Sequence, residues 1–320
     1  MNWWRMSKPR VVVTGTLRDA GLEPLYARYE VDVLGDAPAR ELVLSRVPGA
    51  TAIVSRTSVP IDGDVLDAAG ESLVVVANFG VGYDNIDLEA ARSRHVRVTN
   101  TPGVLSAATA ELAVTLMLAA ARRVAEGDGI VRAGKWDAHG ADTFLGRNLV
   151  GATVGLVGFG RIGQTVARLL SGFDVRIVYS DVAEVSTDLE AHRTELGELL
   201  AVSDFVSLHV AFTEDSRHLI NSGTLALMKP GSILVNTSRG AVVDTQALIA
   251  ALRQGRPAAA GLDVFEGEPD VPAELRALPN TVLLPHVGSA TDSTRDAMAR
   301  LVADNVIAVL DGGEPLTPVV

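Results

Sequence analysis

The chain of 320 residues contains no cysteine. Disulfides, a thiolate nucleophile and thiolate metal sites are therefore excluded together. No apolar run has bilayer length. The longest, 112–121, is ten residues with a threonine inside it, about half of what a span requires. The opening residues Met1-Asn-Trp-Trp-Arg-Met-Ser-Lys-Pro lack an apolar core of signal-peptide length. A cytoplasmic protein is expected, with Trp3 and Trp4 in a poorly ordered leader, the alternative being a partner contact. Positive charge is also scarce: 28 Lys+Arg stand against 39 Asp+Glu, a net charge of −11. That balance argues against nucleic acid or an anionic membrane as partner. No carboxylate–histidine group has metal-ligand spacing, so no metal is expected.

What is present is ample core material, 48% hydrophobic, in a length that suggests two domains. Short β-branched runs alternate with helical periods, which reads as α/β with parallel strands. Strands are expected at 10–14, 52–55, 73–77 and 96–99. A second series follows at 153–157, 175–179, 205–208, 232–235, 258–262 and 281–284. Helices are expected at 84–94, 106–125, 195–201, 245–253 and 292–310. The stretch 132–148, containing Trp136 and Phe144, reads as irregular and suits subunit contact.

Gly158-Phe-Gly160-Arg161-Ile162-Gly163 is a GxGxxG. Alone it is a weak signal. Here it follows the run 153–157 and opens a helical period at Ile162, Val166, Leu169 and Leu170. Asp181 stands eighteen residues after Gly163, just past the next strand. This is the setting of a dinucleotide fingerprint. Gly158 permits the turn, Gly160 lets backbone approach a pyrophosphate, and Gly163 allows close helix–strand packing. The helix N-terminus offers free N–H groups to the anion. Asp181 would accept from the adenosine ribose hydroxyls and repel a 2′-phosphate, which favours NAD over NADP.

Three segments then place polar residues just beyond apolar runs: Asn236-Thr-Ser-Arg239-Gly240, Asp263-Val-Phe-Glu-Gly-Glu268-Pro269 and Pro285-His286-Val-Gly-Ser289-Ala-Thr291. Ligands of open α/β sheets bind beyond the carboxyl ends of strands. An Arg, a Glu and a His there suit reduction of a 2-oxo acid. With Asn78-Phe-Gly-Val-Gly-Tyr-Asp-Asn-Ile-Asp87, Thr99-Asn-Thr-Pro-Gly103 and Met228-Lys-Pro-Gly231, these motifs resemble the D-isomer-specific 2-hydroxyacid dehydrogenases over nearly the whole chain after about residue 10.

The resemblance implies roles residue by residue. Arg239 would bind the substrate carboxylate and lean on the keto oxygen, which a planar guanidinium fork does better than lysine. His286 would be the proton donor and Glu268 its carboxylate partner, an anion that favours the protonated imidazole. Glu266, two residues away, could face the same side. Glu268 is chosen because the family's glutamate precedes the proline. Asp263 and the Thr237 backbone would lie near the nicotinamide carboxamide, and Thr109 near the cofactor. Val81 and Gly82 would give backbone N–H donors to the substrate carboxylate. Ser55 and Arg56 lie in a substrate loop, where Arg56 could equally be a surface charge. Ser289 is a substrate contact or a cap for the last helix. The other five histidines read as surface or structural. One departure stands out. Where the family commonly has His-x-Pro-Leu-Thr beside the adenine, this chain reads His209-Val-Ala211-Phe-Thr213, which loosens the turn.

The same resemblance implies two doubly wound parallel-sheet domains, a Rossmann NAD domain inserted into a flavodoxin-like substrate domain. Residues 1–101 and 287–320 would form the substrate domain and 102–286 the NAD domain, with a cleft and hinge between them. A homodimer is implied, built on the helix after Leu105 and the segment 136–148. The glyoxylate/hydroxypyruvate reductase branch is the nearest in appearance, so NADH-dependent reduction of glyoxylate or hydroxypyruvate to glycolate or D-glycerate is expected. The alternatives are a D-3-phosphoglycerate dehydrogenase or another D-2-hydroxyacid dehydrogenase. A third is a non-enzymatic, NAD-sensing binding protein resembling the superfamily's corepressors.

Overall fold

A computed structural model describes residues 8–137 and 140–320. Trp3, Trp4 and His139 lie outside the described residues. The chain divides into two compact units, 1–105 with 290–320, and 106–289. The sequence expectation put these divisions at 101/102 and 286/287.

The first unit holds five parallel strands: β1 (Arg10–Val13), β2 (Glu30–Val33), β3 (Ala52–Arg56), β4 (Val75–Phe79) and β5 (Arg97–Thr99). Their order is β2-β1-β3-β4-β5. Val12, Ile53, Val76 and Val98 share one face of this sheet and pack on Val43, Val47, Val65 and Leu66. The chain returns to this unit at its end. The helix Asp292–Leu310 packs on it, and a Cβ on Gly21 of the helix Asp19–Arg28 would lie 2.5 Å from the Ala299 carbonyl oxygen. The last residues then pair with β5, Val319 N–H donating to the Val98 carbonyl at 2.7 Å.

The second unit holds seven: β6 (Thr153–Val157), β7 (Arg176–Ser180), β8 (Ala191–Arg193), β9 (Phe205–Leu208), β10 (Ile233–Asn236), β11 (Ala259–Leu262) and β12 (Thr281–Leu283). The order is β12-β11-β10-β9-β6-β7-β8, all parallel. Side chains alternate between two cores, as strand geometry requires. Leu156, Tyr179, Phe205 and Val235 face the helices Ser106–Ala121 and Arg161–Leu170. Val157, Val178, Val206 and Leu234 face the helices Leu196–Val202, Ser222–Leu227 and Thr245–Arg253. A sheet covered on both faces explains why its strands read as continuous apolar runs. The order reverses between β6 and β9, and the crevice beyond their carboxyl ends is the switch point at which such sheets bind ligands.

Several expectations need correction. The edge strands β2 and β8 were absent from the sequence reading. Glu30-Val-Asp-Val and Ala-His-Arg each lie at a sheet edge with little to bury. The helix expected over 106–125 ends at Ala121, because Arg123 turns to φ +54 and a separate helix, Val124–Arg132, follows. Leu169 is 40% exposed. Ile162, Val166 and Leu170 repeat every four residues on the buried stripe, and Leu169 falls outside it. Among the described residues, no helix is long and apolar enough to cross a membrane.

Candidate active site

The turn after β6 is made by glycine for steric reasons. Gly158 has φ +90, and a Cβ there would lie 2.7 Å from the His209 carbonyl. A Cβ on Gly163 would meet the Gly158 carbonyl oxygen at 2.3 Å. Gly160, which begins the helix Arg161–Leu170, is different: a Cβ there meets nothing within 4 Å. The space at this helix N-terminus is open, with Arg161 exposed and Ile162 half-buried beside it. Asp181 follows β7 directly. Its Oδ2 accepts the Phe159 N–H at 2.7 Å and its Oδ1 the Ala183 N–H at 3.0 Å. The carboxylate is thus anchored to the glycine loop itself.

Two further groups lie at the carboxyl ends of neighbouring strands. Thr237 Oγ1 and both imidazole nitrogens of His209 are buried without a hydrogen-bond partner among the described residues. An open helix N-terminus, an anchored carboxylate and orphaned polar atoms together fit a dinucleotide, with pyrophosphate at Gly160–Gly163 and ribose at Asp181.

Burial pushes the His209 imidazole down to about 4. The unfolded chain takes up a proton near pH 6.5 that the folded chain refuses until about pH 4. Stability is therefore complete above pH 6.5 and falls as pH drops through that window, by roughly 3 kcal/mol at most. Denaturant titrations of the ligand-free protein between pH 7 and 4 should show this loss. His209→Gln should flatten the part of the slope that His209 contributes. An unchanged slope would assign the loss to other groups.

The turn after His209 has a substitute for the missing proline. Ser216 Oγ donates to the Ala211 carbonyl at 3.0 Å and accepts the Thr213 N–H at 2.8 Å. Thr213 and Ser216 form a capping box around the 3₁₀ turn Glu214–Ser216.

Arg239, Glu268 and His286 follow β10, β11 and β12. Asn236 Nδ2 donates to the Arg239 carbonyl at 2.9 Å, and its Oδ1 accepts from Ser238 N–H and Oγ. Arg239 Nη1 donates to the Ser238 carbonyl at 2.9 Å. Gly240 lies against the next loop so closely that a Cβ would be 1.8 Å from the Phe265 carbonyl carbon. The arginine loop and the glutamate loop are therefore in direct contact. Glu268 Oε1 lies 2.5 Å from His286 Nδ1, while its Oε2 accepts the Phe265 N–H at 3.2 Å. Burial alone would raise the Glu268 carboxyl. The His286 hydrogen bond and charge, the Phe265 N–H and the Arg239 charge outweigh it and hold Glu268 below the usual carboxylate range.

His286 sits at φ +53. Asp263, 1% exposed, holds the segment behind it: Oδ1 accepts the Val287 N–H and Oδ2 the Gly288 N–H, both at 2.8 Å. Burial raises the Asp263 carboxyl, with those two N–H bonds opposing it. Thr109 lies beside this segment, its Oγ1 3.6 Å from where a Gly288 Cβ would stand. Ser289 does not cap the last helix; Thr291 does, accepting the Thr294 N–H at 3.3 Å.

In the first unit, Arg56 ends β3 at that sheet's own switch point. Its guanidinium lies 5.2 Å over the Phe79 ring and donates to the Thr16 carbonyl at 3.3 Å. Ser55 is buried and donates to Asn78. Val81 and Gly82 lie partly exposed in the loop after β4, and neither N–H donates to any described residue.

Sequence reasoning missed one pair beside the Glu268 loop. Glu266 does not face His286. Both of its oxygens lie 3.0 Å from His218 Nε2, and Arg217 is 3.8 Å away. The two glutamates, close in sequence, serve different histidines because the turn at Gly267, φ +79, separates them. The Asn236 anchor under Arg239 was missed as well. Its signal was an asparagine closing an apolar strand two residues before a serine.

Residues 114–288 match the family model described as D-isomer specific 2-hydroxyacid dehydrogenase, NAD binding domain. A glyoxylate reductase from Thermococcus onnurineus (strain NA1) is 48% identical over 97% of this chain and 95% of its own. Among solved structures, a glyoxylate reductase from Paecilomyes thermophila superposes with a TM-score of 0.89 at 34% identity, covering 98% of this chain and 99% of that one. An NADPH-dependent glyoxylate/hydroxypyruvate reductase from Sinorhizobium meliloti, in complex with NADP and malonate, gives a TM-score of 0.89 at 38% identity, covering 98% and 97%.

Proposed function

Since the chain belongs to the D-isomer-specific 2-hydroxyacid dehydrogenase family, we propose that it reduces glyoxylate and hydroxypyruvate to glycolate and D-glycerate, using NADH. One observation carries the chemistry: the His286–Glu268 pair at 2.5 Å, with the Arg239 loop packed against the loop of Glu268. A bound nicotinamide supplies the hydride for C2 of the oxo acid. His286 delivers the proton to the developing alkoxide from the nitrogen that Glu268 does not hold. Glu268, kept ionised, stabilises the charged imidazole and fixes which nitrogen faces substrate. Arg239 binds the carboxylate and polarises the oxo group with its fork. The Val81 and Gly82 N–H groups take the carboxylate's remaining lone pairs. Asp263 holds the Val287–Gly288 backbone behind His286. Thr109, Thr237 and Asp263 neighbour the nicotinamide, and Arg56 and Ser289 are substrate contacts in this reading.

Steady-state rates over a panel of 2-oxo acids with both cofactors test it. Glyoxylate and hydroxypyruvate are expected to lead. Preference for 3-phosphohydroxypyruvate would move the chain to the phosphoglycerate branch. No turnover of any 2-oxo acid would leave only a binding role.

The choice of NADH rests on Asp181, whose carboxylate would meet a 2′-phosphate at the ribose. Asp181→Ser is expected to shift the kcat/KM ratio of NADPH to NADH upward by about tenfold or more, each tenfold being about 1.4 kcal/mol. An unaltered ratio would remove Asp181 from the ribose.

A homodimer and a cytoplasmic location belong to the same reading. The helix Val124–Arg132 buries no residue, and Val131, Trp136, Leu145 and Val150 are all more than half exposed. Exposed apolar side chains of this size suit burial against a second copy of the chain. Sedimentation should give two chains of 33.6 kDa; a single-chain mass would end the dimer reading. Cell fractionation tests the location.

A further inference from the structure

The loop after β4 is held by three successive carbonyls. Thr101 N–H donates to the Gly80 oxygen at 3.0 Å, Asn100 Nδ2 to the Val81 oxygen at 2.8 Å, and Asn78 Nδ2 to the Gly82 oxygen at 2.7 Å. In a trans peptide, the carbonyl of one residue points opposite to the N–H of the next. Turning these three carbonyls into the body of the unit therefore turns the N–H groups of Val81, Gly82 and Tyr83 out of it. None of these N–H groups donates to a described residue. A row of outward N–H groups is an anion-binding concavity.

The two carboxamides doing this are themselves oriented by other bonds. Asn78 is fully buried, and its Oδ1 accepts from Ser55 Oγ at 2.9 Å and Asn85 Nδ2 at 3.4 Å, which leaves Nδ2 for Gly82. Asn100 is 9% exposed and is held through its backbone. Thr317 Oγ1 donates to the Asn100 carbonyl at 2.6 Å, and Asn305 in turn holds Thr317 through bonds of 2.8 and 3.0 Å. The loop also has no room to retreat, since a Cβ on Gly80 would be 2.4 Å from Thr57 Cγ2.

We propose that Asn78 and Asn100 are positioning residues that hold the Val81–Tyr83 amides outward as the subsite for the substrate carboxylate. The proposal rests on the oxo-acid reductase reading above. It adds that carboxylate recognition depends on two buried side chains that never touch substrate. Without either carboxamide, a carbonyl is released and the peptide behind it can rotate, taking an N–H away from the anion.

The test compares glyoxylate with its methyl ester, which offers the same aldehyde carbon without the charge. In Asn100→Ala and Asn78→Ala, the acid-over-ester ratio of kcat/KM should fall about ten- to hundredfold, the effect of losing a charge-assisted hydrogen bond. The fall should come from a higher KM for the acid. Ester turnover and NADH affinity by fluorescence quenching should stay within about twofold, limits that general damage to the fold would break. Thr317→Val, which removes only the hydroxyl on the Asn100 carbonyl, should move the ratio in the same direction by less. It keeps the test open if Asn78→Ala does not fold. A parallel loss for both substrates, or an unmoved ratio, overturns the proposal. If the unmodified protein has no preference for the acid, the reductase reading fails and takes this proposal with it. A clear preference that the variants keep overturns the asparagines alone.

Discussion

Replacing His286 by Ala is expected to lower kcat by roughly a hundred- to ten-thousandfold, the range for removing a positioned general acid. The KM for glyoxylate and the affinity for NADH should change far less, because in the proposed mechanism the imidazole donates its proton in the transition state and contributes little to ground-state binding. Glu268→Gln should give a smaller loss in the same parameter. It keeps the shape but removes the anion that lies 2.5 Å from Nδ1. Stopped-flow measurement of NADH oxidation separates these outcomes from slow product release. A His286→Ala protein that turns over glyoxylate at an undiminished rate would exclude His286 as the proton donor.

Arg239→Lys should cost nearly as much in kcat/KM, about a hundredfold or more, although the charge is retained. Lysine offers one point charge where the guanidinium offers a planar fork, and the backbone here is already committed. Asn236 holds the Arg239 carbonyl, and Gly240 is pressed on the Phe265 peptide. The loop cannot shift to bring a shorter head group into place. Arg239→Ala should cost more, and added guanidinium should restore part of the rate. Equal activity of the Lys variant on glyoxylate would show that the contact is electrostatic only.

Legibility in the sequence followed locality. The extent of the helix Asp292–Leu310 was readable because its apolar period lies within one segment; its cap was not, since Ser289 was the residue considered and Thr291 accepts the Thr294 N–H. The turn Gly158–Gly163 was readable because strand, glycines and helix are contiguous. The edge strand Ala191–Arg193 was not, since nothing in Ala-His-Arg distinguishes it from a loop until β7 supplies its hydrogen bonds. Leu169 was misread because apolar content signals a face only when its angle on the helix matches. The two glutamates after β11 were distinguished in the sequence only by the proline. The fold separates them by turning Glu266 to His218.

The sequence by itself determined the class of fold, the glycine turn after β6 and the placement of an Arg, a Glu and a His just beyond three strand ends. These follow from short-range periodicity and from steric needs that only glycine meets. What began as an absence of cysteine and of net positive charge also stands: the anionic cofactor and substrate must be met by local groups. The tertiary structure decided which groups meet. It placed Asp181 on the Phe159 amide, Glu268 on His286, Asp263 behind the histidine loop, and Asn78 and Asn100 on the carbonyls of the loop that carries Val81 and Gly82. Each of these contacts except Glu268–His286 includes a backbone group. Every residue but proline has such an N–H, and every residue has a carbonyl, so the sequence cannot mark the ones that matter.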